Sequence, residues 1–214
     1  MPGMRTPDPD PRLVLGELVL LTVLLSTYIW FWQDTFPGDA VVLGIAVAAL
    51  AAVVHLRRGE SLRDLGFRRD TLPRAARLAS IVVVPAILAV LLLGGMLESL
   101  HFPAASQWPP RLAGLVLFGL VQQYALLALF YRRIAELLPA GRATWVTAGV
   151  FAWFHVPNPF LIAVTFIGAL FACWVYRRAP NLPLLGMVHG VVSFALYYSL
   201  PRELTFGLRV GAEF

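Results

Sequence analysis

The chain has 214 residues, of which 59% are hydrophobic and 14% charged, with a net charge of +5 and a mean hydropathy of +0.75. Soluble domains lie nearer half apolar and a quarter charged, so this composition describes an integral membrane protein of the all-α class. The charge comes from seventeen arginines without a lysine, placed between apolar runs, which marks membrane orientation and excludes nucleic acid as a partner.

Residues 1–12 are rich in proline and aspartate and are expected to form a disordered tail. Seven apolar segments follow, at 13–32, 40–56, 76–97, 111–131, 143–156, 160–176 and 182–200. The first two form an N-terminal pair, 57–75 an arginine-rich loop, 76–200 a membrane core and 201–214 a C-terminal tail. The first segment ends in the interface aromatics Trp30-Phe31-Trp32 and is too long for a signal peptide. Fourteen of the arginines fall on alternate loops, which places the N-terminus and the 57–75 loop in the cytoplasm. Arginine without lysine suggests a GC-rich genome, hence a bacterial inner membrane.

Tyr131-Arg132-Arg133 and Tyr176-Arg177-Arg178 read as interface anchors with snorkelling arginines. Glu17, Asp34 and Glu98 read as edge residues, and His55 and His101 carry no assigned role. Cys173 is the one cysteine, so no disulfide and no thiolate zinc site can form within the chain. The segment 143–156 is only about 21 Å long at 1.5 Å per residue, short of a ~30 Å hydrocarbon core. FHVPNPF follows, and its prolines stop a helix, so this turn is expected within membrane depth, facing protein or a wet cavity.

Few side chains with chemistry lie in the spans: Gln122, Gln123, His155, Asn158, His189 and Ser193. A lone membrane histidine commonly bonds a neighbouring helix, and a serine its own backbone. Two histidines, an asparagine and an amide pair in so apolar a chain point instead to one shared site. Zinc wants three or four ligands, so two histidines without a carboxylate make a poor metal site; no metal or cofactor is expected.

The pattern resembles the CAAX prenyl protease and bacteriocin-processing family of intramembrane proteases, over residues of about 60 to 200. That family carries Glu-Glu-x-x-x-Arg, Phe-x-x-x-His and His-x-x-x-Asn/Asp on separate helices. The second motif is intact as Phe151 to His155. The third keeps His189 but has Ser193, and the first has Gln122, Gln123 and Leu127 in place of both glutamates and the arginine. SLRDLGF, residues 61–67, is similar to the run that often precedes the family core.

The resemblance implies peptide-bond hydrolysis in a membrane cavity, with a glutamate base, an assisting histidine, and a histidine and amide polarising the carbonyl. On this chain His155 would activate water, while His189 with Asn158 or a glutamine would hold the oxyanion, beside Ser193 and Phe151. Partners would be membrane lipids and a peptide or prenylated-protein C-terminal segment. A glutamine takes up no proton near neutral pH. The alternatives are therefore a family member that binds a peptide or lipid tail without cutting, glutamines engineered to trap an inactive form, or an unrelated transporter. Arg133 lies about 16 Å along the helix from Gln122 and is expected at the cytoplasmic interface. Counted from the cytoplasmic helix ends, Gln122 lies at about 14 Å, His189 at about 10 Å and His155 at about 18 Å. These depths suggest a cavity opening to the cytoplasmic half.

Overall fold

The computed structural model describes residues 10–32 and 49–214. Its helices are α1 (Pro11–Thr27), continued by a π-helical turn at Tyr28–Trp32, and α2 (49–57). After α3 (Leu72–Met96), α4 (Trp108–Gln123) runs through a π-helical stretch, Tyr124–Tyr131, into α5 (Arg132–Leu137). Then come α6 (Ala140–Trp153), α7 (Pro159–Arg178), α8 (Leu182–Ser199) and the short α9 (Arg202–Thr205). No strand occurs among the described residues. Asp34 and residues 1–9 and 40–48 of the expected tail and second span lie outside them.

Proline stands in the first turn of α1, α3, α4, α7 and α8, where its missing N–H costs no helical bond. Asn158 and Asn181 cap α7 and α8, accepting from Leu161 N at 3.0 Å and Leu184 N at 3.1 Å. Among the described residues, five helices are long and apolar enough to cross a membrane: Pro11–Phe31, Leu72–Met96, Ala105–Leu137, Pro159–Arg178 and Leu182–Ser199. Helix α6, with 14 residues, is too short to count among them, in line with its predicted length.

The three arginine-rich connections gather at one end of the bundle. Thr71 Oγ1 donates to Pro180 O (2.7 Å), Leu182 N to Gly66 O (2.9 Å) and Tyr176 Oη to Leu65 O (3.0 Å). Gly66 has φ +94°, and a side chain there would start 2.8 Å from the Tyr176 ring, so both conformation and space require glycine.

A charge cluster closes this end. Arg133 bonds Glu60 and Glu136 and lies 4.0 Å from Glu17. Arg58 bridges Glu136 (2.6 Å) and Glu17 (2.8 Å), Arg132 reaches Glu60 (2.5 Å), and His55 Nδ1 stands 2.6 Å from Glu60. Three arginines face three glutamates, tying α1, α2 and the 58–60 turn to α5. The interface-anchor expectation is corrected here: Arg133 is 1% exposed and Tyr131 and Tyr176 are buried, because carboxylates, not water, satisfy the guanidinium. Arg177 and Arg178 stay exposed. Glu17, expected at an edge, and His55, given no role, both belong to this cluster.

Glu60→Ala would leave buried arginine charge unmatched and is expected to destabilise the fold by about 3 kcal/mol, read as a lower thermal midpoint in micelles. Burial alone would raise the Glu60 carboxyl, but hydrogen bonds from His55 and Arg132 and the charges of Arg133 and Arg132 outweigh it, holding it at about 2 against 4.5. Because the folded value is the lower, this contribution is complete above pH 4.5 and is lost as pH falls towards 2. Wild-type protein should lose thermal stability over that window, and Glu60→Ala should lose less.

Candidate active site

The site begins with a seam of glycines. Helices α4 and α8 run antiparallel, and Gly119 lies so close to α8 that an added Cβ would stand 2.5 Å from Gly186 O and 2.9 Å from Gly190 N. A Cβ on Gly186 would meet Leu120 at 2.4 Å, and one on Gly190 would meet the Val116 backbone at 2.5 Å. Small residues four apart allow this approach, as in other membrane helix pairs.

Across the seam, helical side chains lean towards their own N-termini, so antiparallel partners lean towards each other. Gln123 and His189 meet in this way, with the Gln123 amide nitrogen 3.1 Å from His189 Nδ1. An N–H donated there leaves Nδ1 as acceptor and puts the His189 proton on Nε2. On α6, the Phe151 ring packs against both histidines, with centroids 4.9 Å from His155 and 6.4 Å from His189. His155 Nδ1 lies 2.7 Å from Phe151 O. A carbonyl only accepts, so His155 Nδ1 carries the proton and Nε2 keeps a lone pair.

Gln123, His189, Phe151 and His155 therefore form one group, despite the different depths expected for them. Gln122 is half-buried beside it, and the Oε1 atoms of Gln122 and Gln123 are both buried without a hydrogen-bond partner. Buried acceptors of this kind are costly unless water or a ligand donates to them. Ser193, one turn beyond His189, is half-buried and makes no hydrogen bond among the described residues, so its hydroxyl is not returned to its own helix.

Asn158 stands apart. It is fully buried, and its Nδ2 donates to Thr205 O and Arg209 O, both at 3.0 Å, while Oδ1 caps α7. Both amide protons are committed to holding the C-terminal segment against the 154–158 turn, so the expected oxyanion role has no free donor.

The inner side of the group is tightly filled. Leu126, Leu127, Ala128, Leu129, Phe130 and Tyr131 are all buried, as are Leu182 and Leu185, and the charge cluster lies beyond them. An opening towards the arginine-rich end, expected from helix depths, would have to pass this buried layer. Leu127, at the place of the family arginine, lies wholly within this apolar layer, and Arg133 is bound to carboxylates at the bundle's end. The sequence reading missed the glycine seam, although Gly186-x-x-x-Gly190 is its signature.

Residues 103–195 match the family model described as type II CAAX prenyl endopeptidase Rce1-like. The match includes every member of the group and supports membership of the CAAX prenyl protease and bacteriocin-processing family. No curated protein and no solved structure matches the chain.

If the seam sets the site, a methyl group on it should disrupt the site although no polar residue is replaced, since a Cβ on Gly119 would also stand 3.2 Å from His189 Cβ. Gly119→Ala is expected to cost about 1–3 kcal/mol through overpacking. It should also alter the His189 ring-nitrogen NMR signals by separating Nδ1 from Gln123; unchanged signals would show that the contact does not depend on the seam.

Proposed function

We propose that this chain, Rce1-like over residues 103–195, is an intramembrane endopeptidase that cuts segments of membrane-associated proteins with His155 as its base. The observation that carries this reading is that the two histidines meet different partners at Nδ1, the Gln123 amide nitrogen for His189 and the Phe151 carbonyl for His155. His155 offers a lone pair at Nε2, His189 offers an N–H at Nε2, and the Phe151 ring lies against both. A hydrolytic site needs these two capacities, a proton acceptor for water and a donor for the developing oxyanion.

In the proposed sequence, His155 Nε2 takes a proton from water as the hydroxide oxygen bonds to the peptide carbonyl carbon. The carbonyl oxygen becomes an oxyanion and accepts from His189 Nε2–H. The C–N bond then breaks, and protonated His155 returns its proton to the leaving amine. Gln123 fixes His189 in the donor form, and the free Oε1 atoms of Gln122 and Gln123 accept from water or substrate N–H groups. The reading includes a bacterial inner membrane with the N-terminus and arginine-rich end in the cytoplasm, supported by arginine placement.

The test is cleavage in detergent micelles of apolar peptides with and without a prenylated cysteine near the C-terminus. Loss of His155 should lower kcat/KM by about 10²–10⁴-fold, the usual worth of a general base. His189→Ala should cost about 10²–10³-fold, as for a removed oxyanion donor. Activity indifferent to both substitutions would sink the reading.

A second reading, binding without cleavage, draws support from the two unpartnered amide oxygens, which require donors whether or not a bond is cut. Tight peptide binding by wild type with no product would favour it. Gln122→Glu with Gln123→Glu addresses the same choice: if only a carboxylate base is lacking, cleavage should rise by at least about tenfold. No gain would mean that the cavity no longer supports the family's carboxylate chemistry.

A further inference from the structure

The π-helical stretch after α4 is buried from Leu126 to Tyr131, whereas α4 itself has a broad open face that includes Leu117 and Val121. Arg111, Gly114 and Phe118 are exposed and Gln122 half-buried, and at intervals of three or four residues they form one stripe of α4. On α8, Tyr197 is exposed and Ser193 and His189 half-buried, again four apart on one stripe. The outer ends of both stripes line a groove of about 340 Å³ formed by Pro110, Arg111, Gly114, Leu115, Tyr197 and Tyr198. The same two faces lead from this groove to Gln122 and His189. Along α8 they carry a phenol, a free hydroxyl and an imidazole, an unusual series for a surface in contact with lipid.

At the far end, Arg111 is held by neutral groups. Its guanidinium donates to Tyr198 Oη at 2.7 Å and Gln107 Oε1 at 3.0 Å and lies 5.9 Å from the Tyr198 ring centroid. No carboxylate pairs with it among the described residues, in contrast to the three arginines of the charge cluster. A fixed cation at the mouth of a groove, with donors left over, is complementary to a carboxylate.

We infer that substrate reaches the histidines along this groove, from the end opposite the arginine-rich loops, and that Arg111 binds a carboxylate of the substrate peptide. The inference rests on the proposed peptidase reading and narrows its substrate class. Arg111 and Gln122 are eleven residues apart, about 16 Å along the helix. An extended peptide covers about 3.3 Å per residue, so the carboxylate belongs about five residues from the cleaved bond. The substrate is thus an apolar segment with an aspartate, glutamate or C-terminal carboxylate at that spacing.

The experiment uses the full chain in micelles and apolar fluorogenic peptides carrying a single Asp, Asn or Lys at successive positions. Wild type should prefer Asp over Asn by about tenfold in kcat/KM, the worth of one charged hydrogen bond, with an optimum about five residues from the cut. Arg111→Gln should collapse that ratio to about one, and Arg111→Glu should shift the preference to Lys. A ratio that Arg111→Gln leaves intact, or a preference with no positional optimum, would overturn the inference while cleavage dependent on His155 left the parent reading standing. If peptides bind but are not cut, the same ratios are read from affinity. Peptides that neither bind nor react would overturn both. An Arg111→Gln effect confined to retention of phosphatidylglycerol would assign the cation to a lipid and likewise overturn the inference.

Discussion

Backbone contact between α4 and α8 is the constraint from which the site follows. With Gly119 against Gly186 and Gly190, the helices lie closer than any side chain would allow. Only at that separation do a glutamine on one helix and a histidine on the other meet directly. In a bilayer, lipid tails are as apolar as the helices, so association rests on packing and on interhelical hydrogen bonds. The seam supplies the packing, and the Gln123–His189 bond spans the gap it leaves. Phe151 then sets the second histidine against the same surface, and the Phe151 carbonyl fixes its proton.

Polarity is divided along the α4–α5 helix accordingly. Its inner end carries Arg132, Arg133 and Glu136 in a balanced cluster that fastens α1 and the α2 turn to the core. Its middle is an apolar layer, buried all round. Its outer half has one open face, with Gln122 where the two regimes meet. Ions therefore hold the bundle together at one end, while the neutral polar groups of the candidate site lie nearer the other. The apolar layer keeps the two sets from exchanging partners.

Much of this was legible in the sequence. Apolar runs of membrane length marked the helices, and the prolines around Asn158 marked the break between α6 and α7. Gln122, Gln123, His155 and His189 stood out because polar residues are rare in such runs. Depth was not legible, since it was counted from helix ends, and side-chain lean and the glycine seam close a spread of several ångströms. Asn158 was misjudged because its partners are the carbonyls of Thr205 and Arg209, far along the chain and unmarked by any side-chain type. Arg133 was misjudged for a similar reason: its ligands come from α1, the 58–60 turn and its own helix, and sequence spacing reveals only the last of these.

The departures from the family pattern in this chain are best understood together. An ionised glutamate within the hydrocarbon region needs a cation nearby, since isolated charge there costs several kcal/mol or more. In the family pattern the two glutamates have an arginine one turn away, whereas here both acids are amides and the arginine position holds Leu127, inside a fully apolar layer. Restoring one glutamate alone would place a carboxylate beside neutral His189 with no arginine to balance it. Removing all three charges leaves a site that needs no counterion and can pack tightly. The amide also acts on the histidine in a way a carboxylate cannot. A carboxylate would accept from Nδ1–H and leave Nε2 as a base, whereas the Gln123 N–H donates to Nδ1 and leaves Nε2 as a donor. With the amide in that orientation, His189 Nε2 is a donor where a carboxylate partner would leave it an acceptor. That leaves His155, held by the Phe151 carbonyl, as the member of the group with a free basic nitrogen.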